Sequence, residues 1–552
     1  MEKRPWLLHY DIEVPHRLKY PGFSLINILE DAARISPKKT CIYFEESNYS
    51  FGEIKNLVDK IARFLVEIGI RKGDRVGIIL PNSPDFVLAF FGILRAGGVV
   101  VAINPRFKES EISYVIDDAN IKGLFFQTQN QLFNSKHHEN NPLKFQISCN
   151  DDPIFCQDFP CQTNHISSQN HYTLQEVLSC GSLEYELPDI DSEDAAIFQY
   201  SGGTTGIPKA AIGLHRNVLS NIYQFSNWLN ALAGDKEVFL SVIPLYHVYG
   251  MVLTMCLAIK MQASQVLLQN PQDVKGIIEA ISQYHVSIFP CVPNMFSAIL
   301  NNNEIEDKQE QLKNLKICIS GSAPLDMGVK AKFESLTNAR ILEGYGLSET
   351  PTATHCNPVK GTNKAGSIGM PLPNVDCKIL DIETGTKISK PGEKGELVIR
   401  GPQVMKGYHN REAETLKTLK GGWLYTGDIA FMDEDGYFFI TGRIKELIKV
   451  SGFQVWPREI EEIILKYPGI KDAAVAGIKN PETGERPKAW VILKENSMVD
   501  IEGLIEFCRS YLADYKIPQQ FEIVSDFPRT TVGKILRREL VRFDEKKNNP
   551  GF

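Results

Sequence analysis

Along most of the chain, apolar positions follow one of two periods. Spacings of three and four residues over 49–68 and 109–119 predict amphipathic helices, whereas the short β-rich runs 75–80 and 99–103 predict strands. The longest apolar stretch, 86–103, contains Arg95 and the Gly97-Gly98 pair, and Ser83-Pro84-Asp85 before it reads as a helix start. A buried helix stopped by the glycines and followed by a strand fits better than a membrane span, which needs about 20 apolar residues in succession. Helices alternating with strands in this way predict α/β layers with parallel sheets.

The pattern lapses over 127–171, a segment crowded with Asn, Gln, His and Ser, and a surface loop or insertion is expected there. From Glu393 the chain becomes strand-rich, through 396–400 and 436–440. Beyond Thr441-Gly442-Arg443 come an amphipathic helix over 457–466, strands at 473–478 and 489–494, a helix at 501–512 and a strand at 521–524. The expected organisation is α/β: residues 1–442 form a large N-terminal domain of layered α/β subdomains plus a β-rich subdomain, and residues 443–552 form a small α+β domain.

Composition agrees with more than one core, since 552 residues exceed the roughly 250–300 at which a single core stops growing. Lys+Arg 60 against Asp+Glu 67 leave a net charge of −7, so no overall positive field draws nucleic acid or anionic lipid. Any phosphate must be held locally. Eleven cysteines without framework spacing fit reduced thiols and a cytoplasmic location, and the first eleven residues break their apolar run too early for a secretory signal. The C-terminal Asn549-Pro-Gly-Phe552 carries no peroxisomal tripeptide or lipidation box. Cys149, Cys156, Cys161, His165 and His171 are zinc-ligand types, but no Cys-x-x-Cys pair occurs among them, and a polar loop without tightly bound zinc is expected.

The densest candidate chemistry is Tyr200-Ser-Gly-Gly-Thr-Thr-Gly-Ile-Pro-Lys209. Gly202, Gly203 and Gly206 let backbone N–H groups approach phosphate oxygens, the hydroxyls of Ser201, Thr204 and Thr205 add donors, and Lys209 supplies charge. It is not a Walker A loop, because Ile207-Pro208 separates Gly206 from Lys209 and Ala210 follows the lysine. A ligand-free turn could share this composition, so the downstream motifs decide.

Those motifs are Pro244-Leu-Tyr-His-Val-Tyr-Gly250, Ser320-Gly-Ser-Ala-Pro-Leu325, Glu343-Gly-Tyr-Gly-Leu-Ser-Glu-Thr350, Gly422-Trp-Leu-Tyr-Thr-Gly-Asp428, Thr441-Gly-Arg443 and Pro528-Arg-Thr-Thr-Val-Gly-Lys534. Together with the 200–209 loop they resemble the adenylate-forming superfamily of acyl-CoA synthetases, luciferases and peptide-synthetase adenylation domains. The resemblance covers nearly the whole chain. It is nearest to bacterial long-chain fatty-acid–CoA ligases in 320–325, in Gly401-Pro-Gln-Val-Met-Lys-Gly-Tyr408 and in Thr531-Val-Gly-Lys-Ile-Leu-Arg-Arg538. Two departures stand out: Ala210 replaces a glycine common after the loop lysine, and Gly213-Leu214-His215 replaces a Thr-His run.

The resemblance implies a two-step reaction in which ATP converts a carboxylate to an acyl-adenylate with release of pyrophosphate, and a thiol then displaces AMP. It implies a catalytic set of Lys534, Glu349, Thr204 and Lys209, with Lys534 contacting both the carboxylate and the α-phosphate, where a cation offsets developing charge. Glu349 and Thr205 would hold Mg²⁺. The nucleotide site would include Ser201, Gly202, Gly203, Thr204, Thr205, Gly206 and Lys209, then Gly321, Ser322 and Ala323, then Glu343, Gly344, Tyr345, Gly346 and Thr350. Tyr345 would lie near adenine, and Asp428 and Arg443 on the ribose. His247, Tyr249, Met251, Gly346 and Pro351 would form the acyl and carboxylate pocket; His247 guards it without acting as a base, since a carboxylate is already ionised near neutral pH. The small domain would be mobile about a hinge at Lys445, bringing Lys449, Ser451, Gly452 and Gln454 into a thioester-forming state, with Lys260 at a CoA phosphate.

A medium- or long-chain fatty-acid–CoA ligase using ATP, Mg²⁺ and CoA is therefore expected. The alternatives are an aryl-CoA ligase of the coumarate type and a fatty acyl-AMP ligase loading a carrier protein. Tyr249, Met251, Pro351, Thr352 and Ala353 suggest an apolar channel with no partner for a phenol hydroxyl. Homodimer formation and peripheral membrane contact are left open.

Overall fold

Ser50 decides where the second long helix begins. Its hydroxyl accepts from the Glu53 N–H while the Glu53 carboxylate accepts from the Ser50 N–H, a capping box that starts the helix Phe51–Glu67. Tyr49, expected inside that helix, belongs instead to the strand Ser47–Ser50. Pro84–Arg95 is a helix capped by Ser83 and buried along nearly its whole length, and Gly97, at φ +80°, turns the chain into the strand Val99–Ala102. The helix Glu109–Ala119 has the expected bounds.

The computed structural model describes residues 4–128, 143–149, 170–179, 186–201, 208–232, 237–302, 305, 308–386, 390–451, 453–480, 483–530 and 533–548. By internal contacts they fall into two units, 1–376 with 400–422 and 377–399 with 423–552. The first unit holds two sheets among the described residues. One runs in the order Met370–Pro371, Thr352–Cys356, Arg340–Leu347, Ile317–Ser320, Ile288–Cys291, Val238–Ser241, Ser264–Leu267, Thr40–Phe44 and Ser47–Ser50. Its central strands are parallel, as the alternation of elements predicts. The other runs Gly407–Tyr408, Lys209–Leu214, Ala195–Ser201, Val99–Ala102, Arg75–Ile79, Ile121–Gln127, Phe145–Cys149 and His171–Thr173. The segment expected to be a surface loop thus carries part of a sheet: Phe145 and Ile147 supply a buried face, and Phe145–Cys149 pairs in parallel with Ile121–Gln127. Cys149 lies inside that strand with its thiol pushed well up by burial, whereas Cys156, Cys161 and His165 lie outside the described residues.

In the second unit, Gly395–Arg400, Trp423–Met432 and Phe438–Arg443 form an antiparallel ladder. The strand expected at 436–440 begins only at Phe438, because Gly436 at φ +84° is a turn residue. A second sheet pairs Ile470–Asn480 with Gly484–Leu493 as a hairpin longer than the apolar runs indicated, and Gln520–Ile523 joins in parallel. Helices Pro457–Ile464 and Ile501–Arg509 contribute Ile460, Ile464, Leu504 and Cys508 to a core shared with Val475 and Val491. Among the described residues no helix is long and apolar enough to cross a membrane.

Candidate active site

In the first unit, Ala195–Ser201 and Lys209–Leu214, the strands that flank the Gly/Thr-rich stretch, are antiparallel neighbours with Ser201 opposite Lys209. Gly202, Gly203, Thr204, Thr205 and Gly206 lie outside the described residues. Both ends of the stretch are fastened to the helix Glu109–Ala119. The Tyr200 hydroxyl donates to Asp118 (2.7 Å), and the Tyr114 hydroxyl donates to the Pro208 carbonyl (3.0 Å). Arg411 bridges the two by donating to Asp118 (2.9 Å) and to the Tyr114 oxygen (3.1 Å). The Lys209 ammonium lies 4.6 Å from the centre of the Tyr408 ring, and the Tyr408 hydroxyl donates to Glu349 Oε1 (2.6 Å). The expected phosphate-binding lysine and the expected metal-binding carboxylate thus meet on one tyrosine.

Gly321, Ser322 and Ala323 follow the strand Ile317–Ser320, with Ser322 at φ +72°. A Cβ on Gly321 would stand 3.3 Å from the Tyr249 ring, so the glycine lets backbone and ring lie together. Tyr249 is buried and its hydroxyl donates to the Ile319 (2.7 Å) and Cys291 (3.1 Å) carbonyls, tying two strands. Glu343 is buried and faces Lys330 at 3.4 Å, and Tyr345 meets His355 edge-on, ring centres 5.9 Å apart. Gly344 and Gly346 sit in the strand Arg340–Leu347, paired with Thr352–Cys356; a Cβ on Gly346 would overlap the Thr352 carbonyl oxygen. Thr350 is fully buried, its hydroxyl accepting from the Leu347 N–H at 3.2 Å. His247 caps the turn Val248–Gly250, its Nδ1 accepting from the Tyr249 N–H (3.3 Å), and burial lowers its pKa to about 4. With so low a pKa the ring is neutral and only a weak proton acceptor at pH 7. Met251 and Pro351 are buried, and Lys260 lies over the Tyr223 ring at 4.4 Å.

In the second unit, Asp428 is 2% exposed and receives Arg443 Nε at 2.8 Å across the ladder that sets the two residues opposite one another. Lys534 follows a tight turn: the Thr530 N–H donates to the Lys534 carbonyl (2.8 Å), the Lys534 N–H to the Thr530 hydroxyl (3.1 Å), and Gly533 takes φ +80°. Arg529 pins the turn, donating to the Gly533 carbonyl (3.1 Å) and to Asp472 (2.5 Å). Burial, then the nearby Arg443 charge, lowers the Lys534 pKa to about 8, against the opposing pull of Asp428 and Glu446. Lys445 lies in the short turn Ile444–Glu446. Lys449 and Gln454 face each other across a hairpin, Ser451 holds φ +49° at its tip, and Gln454 donates to Glu383 (3.3 Å); Gly452 lies outside the described residues.

Sequence reasoning missed the residues that hold these groups: Asp118, Tyr114 and Arg411 around the loop, Tyr408 between Lys209 and Glu349, and Asn221, which clamps Thr352 and Ala353 through their backbone. Tyr408 alone carried a signal, as the last residue of the 401–408 stretch. Residues 29–409 match the model of a family described as AMP-binding enzyme, and residues 459–534 match that of the AMP-binding enzyme C-terminal domain. A long-chain-fatty-acid–CoA ligase of Bacillus subtilis is 38% identical over 99% of both chains. One from Salmonella typhimurium is 33% identical over 98% of both. Among solved structures, ATP-bound MatB from Rhodopseudomonas palustris superposes with a TM-score of 0.86 at 26% identity, covering 96% of this chain and all of its own.

Proposed function

We propose that this chain, which belongs to the AMP-binding enzyme family, is an AMP-forming fatty-acid–CoA ligase acting on medium- to long-chain acids in the cytoplasm. The observation that carries the reading is Lys534 on a pinned turn beside the paired Asp428 and Arg443, in a chain whose long-chain-fatty-acid–CoA ligase relatives match it end to end. Asp428 accepts hydrogen bonds from the ribose hydroxyls, and Arg443 fixes its carboxylate. Lys534 donates to the fatty carboxylate and the α-phosphate, both anionic, and lowers the repulsion as the new C–O–P link forms and pyrophosphate leaves. Lys209 and the loop hydroxyls hold the remaining phosphates. The Glu349 carboxylate is a hard oxygen donor beside a cation-bearing loop, which fits Mg²⁺, and with Thr205 it would hold the ion. Bound there, Mg²⁺ would offset triphosphate charge. In the second half-reaction the small domain turns about Lys445, Lys449 and Gln454 face the site, and the CoA thiol displaces AMP.

Pyrophosphate release measured across acids from acetate to oleate and coumarate, with and without CoA, tests this. Each buried CH₂ contributes about 0.8 kcal/mol, so kcat/KM should climb with chain length until the pocket is full. Coumarate outperforming every fatty acid would replace the acyl assignment, and release of acyl-adenylate without CoA-dependent thioester would point to a carrier-loading enzyme.

A further inference from the structure

We propose that Tyr408 is the positioning residue that sets Glu349 and Lys209 for the metal–triphosphate end of ATP; this rests on the ligase reading above and on Glu349 as the metal-binding carboxylate. Tyr408 is 9% exposed and touches both groups at once, through its hydroxyl and through its ring face. The two contacts do different work. A phenol donating to a carboxylate fixes that carboxylate's direction, and hydrogen bonds to charged groups are among the stronger ones. A ring under an ammonium holds it without neutralising it, so the charge stays available to phosphate. Interposed between a cation and an anion, Tyr408 also keeps Lys209 and Glu349 from closing on each other as an ion pair, which would withdraw both from a ligand.

The backbone makes this placement rigid. Tyr408 lies opposite Ala211, and the His409 N–H donates to the Ala210 carbonyl (2.9 Å), so the tyrosine is stitched to the strand that begins at Lys209. The Met405 N–H donates to the Glu349 carbonyl (2.8 Å), tying the same segment to the carboxylate's own backbone. Thr415 accepts from the Tyr408 N–H (2.9 Å).

The experiment compares wild type, Y408F, Y408L and E349Q by the Mg²⁺ dependence of pyrophosphate formation, and by calorimetric binding of ATP with and without Mg²⁺ and of AMP, whose binding serves as the metal-independent control. Y408F, which keeps the ring and loses the donor, should raise the Mg²⁺ concentration for half-maximal adenylation about tenfold while leaving AMP affinity unchanged. Y408L should also weaken ATP at saturating Mg²⁺, since the lysine loses its platform. A wild-type Mg²⁺ response in Y408F alongside a lost response in E349Q overturns the role of Tyr408 and leaves that of Glu349. A wild-type response in E349Q overturns the metal assignment, and the role of Tyr408 with it. Equal losses of AMP and Mg²⁺-ATP binding in Y408F, with altered circular dichroism, would mark the tyrosine as structural only. If no acid yields pyrophosphate with the wild type, the ligase reading fails, and the Mg²⁺-dependent ATP binding still decides the role of Tyr408.

Discussion

In its proposed role Lys534 must be charged to act on a carboxylate beside a phosphate, and its surroundings work against that charge. Burial and Arg443 bring its pKa down to about 8, so the ammonium is present below that pH and is lost as pH rises through it. The kcat/KM for adenylation should therefore show a falling limb near pH 8, because this ratio reports the free enzyme. The limb of kcat should lie higher, since bound anions favour the charged amine. Pyrophosphate release measured from pH 6 to 10 decides it, and a flat kcat/KM over that range would remove Lys534 from the assigned role. The motif ending at Lys534 made the residue itself legible in the sequence. Its acidity was not, because Arg443, Asp428 and Glu446 approach it only through the fold. Tyr249 shows the same divide: its aromatic character was readable, whereas the use of its hydroxyl to tie two strands depends on partners 42 and 70 residues away.

At the scale of elements, what was legible was local and what was missed was paired. The helix Glu109–Ala119 followed from its own periodicity, and the break at Gly97-Gly98 from its own glycines. The strand Phe145–Cys149 escaped notice because a lone Phe and Ile in a polar setting become a strand only against a neighbour, here Ile121–Gln127. Gly346 in the strand Arg340–Leu347 is the corresponding case in the site. It reads as a small residue in a motif, yet its need for no side chain comes from the Thr352 carbonyl across the ladder. G346A should lower stability by about 3 kcal/mol, at the upper end of overpacking effects, because backbone and not a flexible side chain must yield. G22A, at a position with open space around it, should stay within about 0.5 kcal/mol of wild type. Urea midpoints of the two variants test the contrast, and an unshifted midpoint for G346A would show that the ladder relaxes there at little cost.

Across the whole molecule, the pattern of the sequence draws a line at 442/443 where the texture changes, whereas contacts group 377–399 and 423–443 with the C-terminal residues. Contacts within the second unit account for the difference. Arg458 donates to the Ile440 carbonyl (3.1 Å), a Cβ on Gly442 would lie 3.6 Å from the Trp456 ring, and Lys534 senses the charges of Asp428 and Arg443. These contacts span the turn Ile444–Glu446 that contains Lys445, so a rotation there would break them and carry Lys534 away from Asp428 and Arg443. Lys534 beside Asp428 and Arg443 is the arrangement that the proposed adenylation step calls for. Proline fixes φ near −65°, a value a tight turn of this kind accepts, so K445P should retain this arrangement and resist leaving it. Acyl-adenylate should still form in K445P, while thioester formation from supplied acyl-adenylate and CoA should slow by roughly an order of magnitude or more. K534A should do the reverse: adenylation falls by roughly 10²-fold or more, the scale for one lost transition-state donor, and supplied acyl-adenylate bypasses the defect. Hydroxylamine trapping of adenylate beside thioester assays separates the two half-reactions. Wild-type thioester formation in K445P, or equal loss of both half-reactions in K534A, would mean that one arrangement serves both steps and that Lys445 is not a hinge.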